Sequence, residues 1–516
     1  MTQDTGSTPL SPTSPSGRDT FDSLNPATGV VVGTHPVHTA DDVQAAVTRA
    51  RDEAAWWSGL SHDQRCAHLL AWKGVITRAL ADLAEVVHRE TGKPHGDATL
   101  EIALAIDHLS WAATHAERTL KRRRMSSGLL MANQAASLEY CPLGVVGVIG
   151  PWNYPVFTPM GSIVYALAAG NAVVFKPSEL TPGVGEWLAR TFLESVGRPV
   201  LQVVTGLGET GAALCHTGVD KVAFTGSTAT GRRVMAACSE TLTPVIIEAG
   251  GKDAVIVDAD ADLDAAADAT LWGACANAGQ TCIGVERVYV HERVYDAFLE
   301  TLVAKARDVH ADDSPGALLG PITMPGQLDV IRSHIQDAID RGGRAVLGGP
   351  DAVGERYVQP TILVDVPEDS LAVQEETFGP TVTVARVSSM TEAITRTNAT
   401  RYGLGSTVFS RSRGMEIAER IRSGMTAVNG VITFAAIPSL PFGGVGDSGF
   451  GRIHGADGLK EFTYAKAIAR QRFKPVIALT SFARTAADEQ RLTRVLTLLH
   501  GRKGTVRDEA GKAGVA

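Results

Sequence analysis

From about Ser137 onward, short β-branched runs alternate with helical stretches, and this alternation constrains the fold more than any other feature of the 516-residue chain. The first runs are "GVVGVIG", "NAVVFKP", "LQVVTG", "KVAFTG" and "PVIIEAGG", with helical patterns between them at 157–169 and 183–196. Strands separated by helices pair in parallel, because a parallel connection needs a crossover long enough to hold a helix. A second series follows Gly251: "DAVIVD", "RVYVH", "RAVLGG", "PTILVDV", "TVTVARV", "GSTVFS" and "TAVNG". So long a chain also exceeds one hydrophobic core. The sequence therefore predicts an α/β protein whose two α/β domains meet near residue 250. Upstream, Ala40 to about His88 and about Asp97 to Arg124 carry Ala and Leu at helical spacing. The run "KRRR" at 121–124 reads as a solvated helix end.

Several function classes are disfavoured at once. A formal net charge of −8 gives no reason to expect nucleic acid as a partner. No apolar run reaches the roughly twenty residues of a membrane span. Residues 1–20 are rich in Ser, Thr and Pro, lack an apolar core, and read as a disordered tail. The six cysteines include no C-x-x-C pair and have no His cluster beside them. Neither a metal site nor a disulfide framework is expected, and the reading is cytoplasmic.

One cysteine stands apart. Cys66, Cys215 and Cys238 sit in helical patterns and read as packing. Cys282 lies in "NAGQTCIG", among glycines and small polar residues that permit close approach of a ligand. Such a thiol can act as a nucleophile if its pKa is lowered or a neighbour takes its proton. Glu248, in "IIEAGGKD", ends a strand at the domain junction. By spacing alone it is either a structural acid or a general base. "TGLGETG" matches G-x-G-x-x-G at Gly206, Gly208 and Gly211, but an acidic partner about twenty residues on is poorly matched, so it reads as a tight turn. "FTGSTATG" ends a strand and opens a helix, where Gly226 and Ser227 either bind phosphate or simply cap the helix. "GDSG" at 446–449 resembles a serine-protease signature without His and Asp partners, and Ser448 reads as structural.

Taken together, "NPATG", "ETGKP", "PLGVVGVIGPWNYP", "GNAVVFKPSELTP", "FTGSTATG", "EAGGKD", "NAGQTC", "EETFGP", "YGLGSTVFS" and "PFGGVGDSGFGR" resemble the aldehyde dehydrogenase superfamily in order and spacing, from about Phe21 to Lys466. The resemblance implies roles. Cys282 matches the nucleophile, Glu248 the general base, and Asn153 in "PWNYP" the oxyanion donor. Lys176 and Glu179 match residues that hold the adenosine ribose. Gly226, Ser227 and Gly231 fall on the cofactor-binding helix start. Glu376 and Phe378 match contacts to the nicotinamide ribose. The implied reaction oxidises a small-molecule aldehyde to the acid with NAD, or with NADP, through a hydrolysed thioester.

Alternatives are a succinate-semialdehyde dehydrogenase specifically, a CoA-acylating enzyme, a phosphorylating relative, or an inactive one. Retention of Glu248 disfavours the acylating and phosphorylating readings. One departure is Ala249, where the family usually has Leu. Arg287 is a candidate for a substrate carboxylate but reads better as a structural ion pair.

The resemblance also divides the chain. The cofactor-binding domain would comprise 21–124 and 143–250, and the catalytic domain 251–450. An oligomerisation β-arm would comprise 125–142 and 460–472, giving a homodimer or homotetramer. Residues 473–516 form a basic C-terminal extension, in which Leu492, Val495, Leu496, Leu498 and Leu499 recur at roughly helical spacing. That helix is expected to dock on protein, with weak peripheral contact to an anionic membrane as the alternative.

Overall fold

In the computed structural model the described residues are 19–501, apart from 315, 476, 478 and 479. The expected disordered tail falls outside them up to residue 18, and its last residue, Thr20, opens a strand. The end of the basic extension, 502–516, also falls outside.

The chain divides into two units, of which the first holds 1–121 and 141–464. It contains both α/β series. A six-stranded sheet runs in the order Gly449–Phe450, Val245–Glu248, Lys221–Thr225, Val145–Ile149, Ala172–Lys176, Leu201–Val203. All neighbours are parallel except the Gly449–Phe450 edge. A seven-stranded sheet runs Arg344–Leu347, Thr361–Val364, Thr381–Val387, Val285–His291, Asp253–Val257, Ser406–Phe409, Ala427–Val428. Only its Arg344–Leu347 edge is antiparallel. Ala172–Lys176 and Asp253–Val257 are buried along their whole length, which is why these strands read as continuous apolar runs without alternation.

The helical stretches at 157–169 and 183–196 are the helices Phe157–Ala169 and Pro182–Val196. Two upstream expectations are corrected. The stretch from Ala40 to His88 is not continuous but forms Ala40–Gly59, His62–Arg78 and Leu80–Thr91. The first break is set by local chemistry: the Ser61 side chain caps the backbone N–H of Gln64, whose side chain caps Ser61 in return. The next helix, His95–Leu120, stops before "KRRR", and Arg123 and Arg124 lie in a strand instead. Their backbone pairs with Leu138 and Ser137, which removes them from the helix.

The second unit holds 122–140 and 465–516. It is built on a three-stranded sheet ordered Thr463–Gln471, Gln134–Pro142, Arg123–Met125. Its C-terminal helix, Ala486–His500, begins at a Thr485–Asp488 capping box and buries no side chain among the described residues. Leu498 is 80% exposed.

Candidate active site

Cys282 follows a tight turn, Ala276–Gly279, in which Asn277, Ala278 and Gly279 have φ of 54°, 55° and 72°. Left-handed backbone is costly for any residue but glycine. Neighbouring groups hold the turn in place. Asn277 Nδ2 donates to Asn153 O at 3.0 Å, Gln280 Nε2 donates to Pro321 O at 3.3 Å, and Gln280 Oε1 accepts from Thr323 N at 2.8 Å. Gly279 abuts the Gly379 carbonyl so closely that a Cβ would lie 2.1 Å from its carbon. Gly279→Ala is therefore expected to cost roughly 2–5 kcal/mol, from left-handed strain together with overpacking. Thermal melting checks this, and an unchanged midpoint would show that the turn does not set the loop's geometry.

Glu248 ends the strand Val245–Glu248 and is 3% exposed. The Gly449–Phe450 edge pairs with it, and Ala249 N donates to Ser448 O at 3.1 Å. Ser448 Oγ donates to Gly250 O at 2.8 Å and accepts from Gly403 N at 3.0 Å. "GDSG" is thus a brace for the strand end that carries Glu248. Neither Glu248 oxygen has a hydrogen-bond partner among the described residues. Burial pushes its pKa up to about 7, with the nearby Cys282 thiol and Thr225 hydroxyl offsetting part of the rise. The Cys282 thiol is itself pushed well above its ordinary value by burial, then by Glu248, Glu376 and Asp253. Burial does not lower the thiol's pKa here, and the nearby Glu248 carboxylate is the candidate acceptor for its proton.

Asn153 Nδ2 donates to Gln280 O at 2.9 Å. Its own carbonyl accepts from Lys93 Nζ at 2.7 Å. Lys93 is 1% exposed and also donates to Glu101 Oε2 at 2.7 Å, while Glu101 Oε1 accepts from Val156 N at 2.7 Å and Phe157 N at 3.1 Å. This buried pair fixes the loop that carries Asn153. Sequence reasoning assigned it no role. "ETGKP" pointed at Lys93, but nothing in the helical pattern around Glu101 separates it from a solvent-facing acid.

Cys282, Glu248 and Asn153 share one cavity of about 230 Å³ with Gly226, Ser227, Glu376 and Phe378. Glu376 accepts from Gly251 N at 3.0 Å, and burial with Glu286 nearby pushes its pKa up to about 8. Phe378 meets Trp152 edge to face at 5.6 Å. Ser227 caps the helix Thr228–Ser239 by accepting from Thr230 N, so the helix N-terminus opens on the same cavity. Three candidate residues do not line it. Gly231 lies inside that helix, where a Cβ would meet Ile247 Cγ2 at 3.0 Å, so its place is helix–strand packing. Lys176 and Glu179 sit at and beyond the end of the strand Ala172–Lys176, with Nζ and Oε2 3.6 Å apart. Lys176 is buried and Glu179 about half exposed.

"TGLGETG" is a turn at Gly206, with φ of 146°, leading into the helix Gly208–His216. Arg287 is buried, but among the described residues the expected ion pair is not there. Its Nη2 donates to Lys252 O at 2.7 Å and Thr397 O at 3.2 Å, and its Nη1 to Arg396 O at 3.2 Å. Four contacts to backbone carbonyls and one to the Tyr289 hydroxyl satisfy the guanidinium, so no carboxylate is needed. Among the described residues no cluster of His, Cys, Asp or Glu is arranged to hold a metal, and no helix is long and apolar enough to cross a membrane.

The donor set suits a dinucleotide. A helix N-terminus offers backbone N–H groups to phosphate. The Glu179 carboxylate can accept from ribose hydroxyls.

The family model for aldehyde dehydrogenases matches residues 13–468. A 4,4'-diapolycopene aldehyde oxidase of Methylomonas is 37% identical over 450 residues, covering 86% of this chain and 84% of that one. A glutarate-semialdehyde dehydrogenase of Pseudomonas aeruginosa is 36% identical over 456 residues, covering 86% and 92%. The crystal structure of an NAD-dependent aldehyde dehydrogenase from Sinorhizobium meliloti superposes with a TM-score of 0.85 at 34% identity, covering 91% of this chain and 95% of that one. The fold, the convergent site and these matches agree: the chain belongs to the aldehyde dehydrogenase family.

Proposed function

We propose that the protein oxidises an aldehyde to the carboxylic acid with NAD, through a thioester on Cys282 that water activated by Glu248 hydrolyses. The observation that carries this reading is the convergence on one cavity of a thiol, a buried carboxylate without a partner, and an amide donor. Cys282 Sγ attacks the carbonyl carbon, and Glu248, with its pKa raised to about 7, takes the thiol proton. One Asn153 side-chain N–H is held by Gln280 O, which leaves the second for the oxyanion. When bound, the nicotinamide supplies the acceptor for the hydride released as the adduct collapses to the thioester. Glu248 passes its proton to solvent, then takes one from the water that attacks the thioester. The acid leaves and the thiol is restored.

Lys176 and Glu179 would hold the adenosine ribose, Gly226 and Ser227 the phosphates, and Glu376 and Phe378 the nicotinamide ribose. Glu179 would meet a 2′-phosphate with like charge, so NAD is preferred over NADP. Lys176 lies 3.6 Å from Glu179 and offsets part of that repulsion. Following NADH or NADPH absorbance with aldehyde, with and without CoA, tests these points. The expected result is aldehyde-dependent reduction of NAD that ignores CoA, with a higher kcat/KM for NAD than for NADP. A requirement for CoA would make the enzyme acylating, and equal values for the two cofactors would refute the preference.

By the same reading, residues 125–142 and 460–472 are an oligomerisation arm of a homodimer or homotetramer. The C-terminal helix docks on protein, and contact with anionic membranes is weak. The thiol chemistry suits the reducing cytoplasm. Light scattering, liposome sedimentation and cell fractionation check these three assignments, against a monomer, strong lipid binding or a membrane fraction.

A further inference from the structure

A second pocket, of about 80 Å³, also reaches Cys282, and its chemistry differs from that of the first. Leu100, Leu104, Phe157, Trp272, Ile283 and Phe442 supply most of its wall. Leu100 and Trp272 line it while remaining 45% and 44% exposed, so its mouth is apolar as well as its interior. No Lys, Arg or His is among its lining residues. Two acids are: Glu101 is neutralised by Lys93, whereas Asp97 has a buried Oδ2 with no hydrogen-bond partner among the described residues. Lys93 meets this wall through Glu101, but its Nζ is spent on Glu101 and Asn153 O and lies 4.2 Å over the Tyr154 ring.

From this wall we infer that the enzyme takes uncharged, apolar aldehydes, aliphatic or aromatic, and rejects semialdehydes that carry a carboxylate at the far end. The inference rests on the proposed function and names the substrate class of that site. A carboxylate entering this pocket would lose its water, find no Lys, Arg or His among the lining residues, and approach Asp97. Burying a charge without a partner is among the costliest changes a binding site can demand. An alkyl or aryl chain instead gains by leaving water, methylene by methylene. The succinate-semialdehyde reading therefore lacks the anchor it requires.

Matched pairs isolate the terminal carboxylate: butanal against succinate semialdehyde, and pentanal against glutarate semialdehyde. Steady-state kinetics with NAD is expected to give kcat/KM at least about 100-fold higher for the neutral member of each pair, rising further from propanal to hexanal. Parity, or preference for either semialdehyde, overturns the inference while leaving the proposed function in place. Activity on none of these aldehydes overturns the proposed function, and the inference with it. Leu100→Arg adds a cation at the half-exposed mouth, where folding is undemanding. It is expected to shrink the gap about tenfold or more by raising the semialdehyde's kcat/KM. An unchanged ratio in that variant would place the far end of the substrate outside this pocket and overturn the assignment.

Discussion

Cys282→Ser is expected to remove aldehyde oxidation almost completely, with kcat falling on the order of 10⁵-fold or more, while NAD binding persists. Serine keeps the volume of the side chain but not the chemistry. A hydroxyl is a far weaker nucleophile than a thiolate, and the proposed path has no second nucleophile. The surrounding turn takes its hydrogen bonds from Asn277, Gln280 and Thr323, not from the Cys282 side chain, so the fold is expected to survive. Stopped-flow reduction of NAD alongside calorimetric titration of the cofactor separates the two effects. Oxidation near the wild-type rate would remove Cys282 from the mechanism.

Glu248→Gln is expected to slow turnover about 10²–10⁴-fold and to let the acyl-enzyme accumulate. Intact-mass measurement after mixing with aldehyde and NAD should show the added acyl group. The pH dependence sharpens the test. A base acts only when deprotonated, and burial holds the Glu248 pKa at about 7. Deacylation in the wild type should therefore rise with pH through about 7 and level off above it. With Gln at 248 that limb should vanish, because an amide does not titrate. Rapid turnover without an adduct, or an unchanged pH profile, would assign the base role to another group. Glu376 is the obvious rival, since it lines the same cavity with a pKa raised to about 8. A limb moved toward 8 would point to it.

Much of this site was legible before any coordinates. Cys282 stood out because glycines and small polar residues surround it, and Glu248 because it ends a strand before two glycines. What could not be read was support. Lys93 and Glu101 lie in or near helical sequence, and only their burial against the Asn153 loop shows what they do. Ser448 was read as structural, but its use as a brace for the Glu248 strand emerges only from the antiparallel edge. Arg287 was read as one half of an ion pair, and four carbonyl contacts replace the missing acid.

Local sequence determined the elements and the chemistry available. Apolar periodicity marks strands and helices because burial of one face repeats along the backbone, and a capping box such as Ser61–Gln64 can be read within four residues. Even so, the helical pattern read from Ala40 to about His88 does not show that the chain bends at that box. Apolar periodicity continues across a tight interhelical turn and cannot by itself show where the chain bends. Tertiary structure alone decided which residues meet. Asn153 and Glu248 come together because parallel crossovers return the C-terminal ends of Val145–Ile149 and Val245–Glu248 to one edge of the six-stranded sheet, whereas Cys282 reaches them from the turn that precedes Val285–His291 in the other sheet. It also decided the character of the second pocket at Cys282, whose wall comes from helices and loops between Asp97 and Phe442. The presence or absence of a cation there is a property of the assembled surface, and no stretch of sequence carries it.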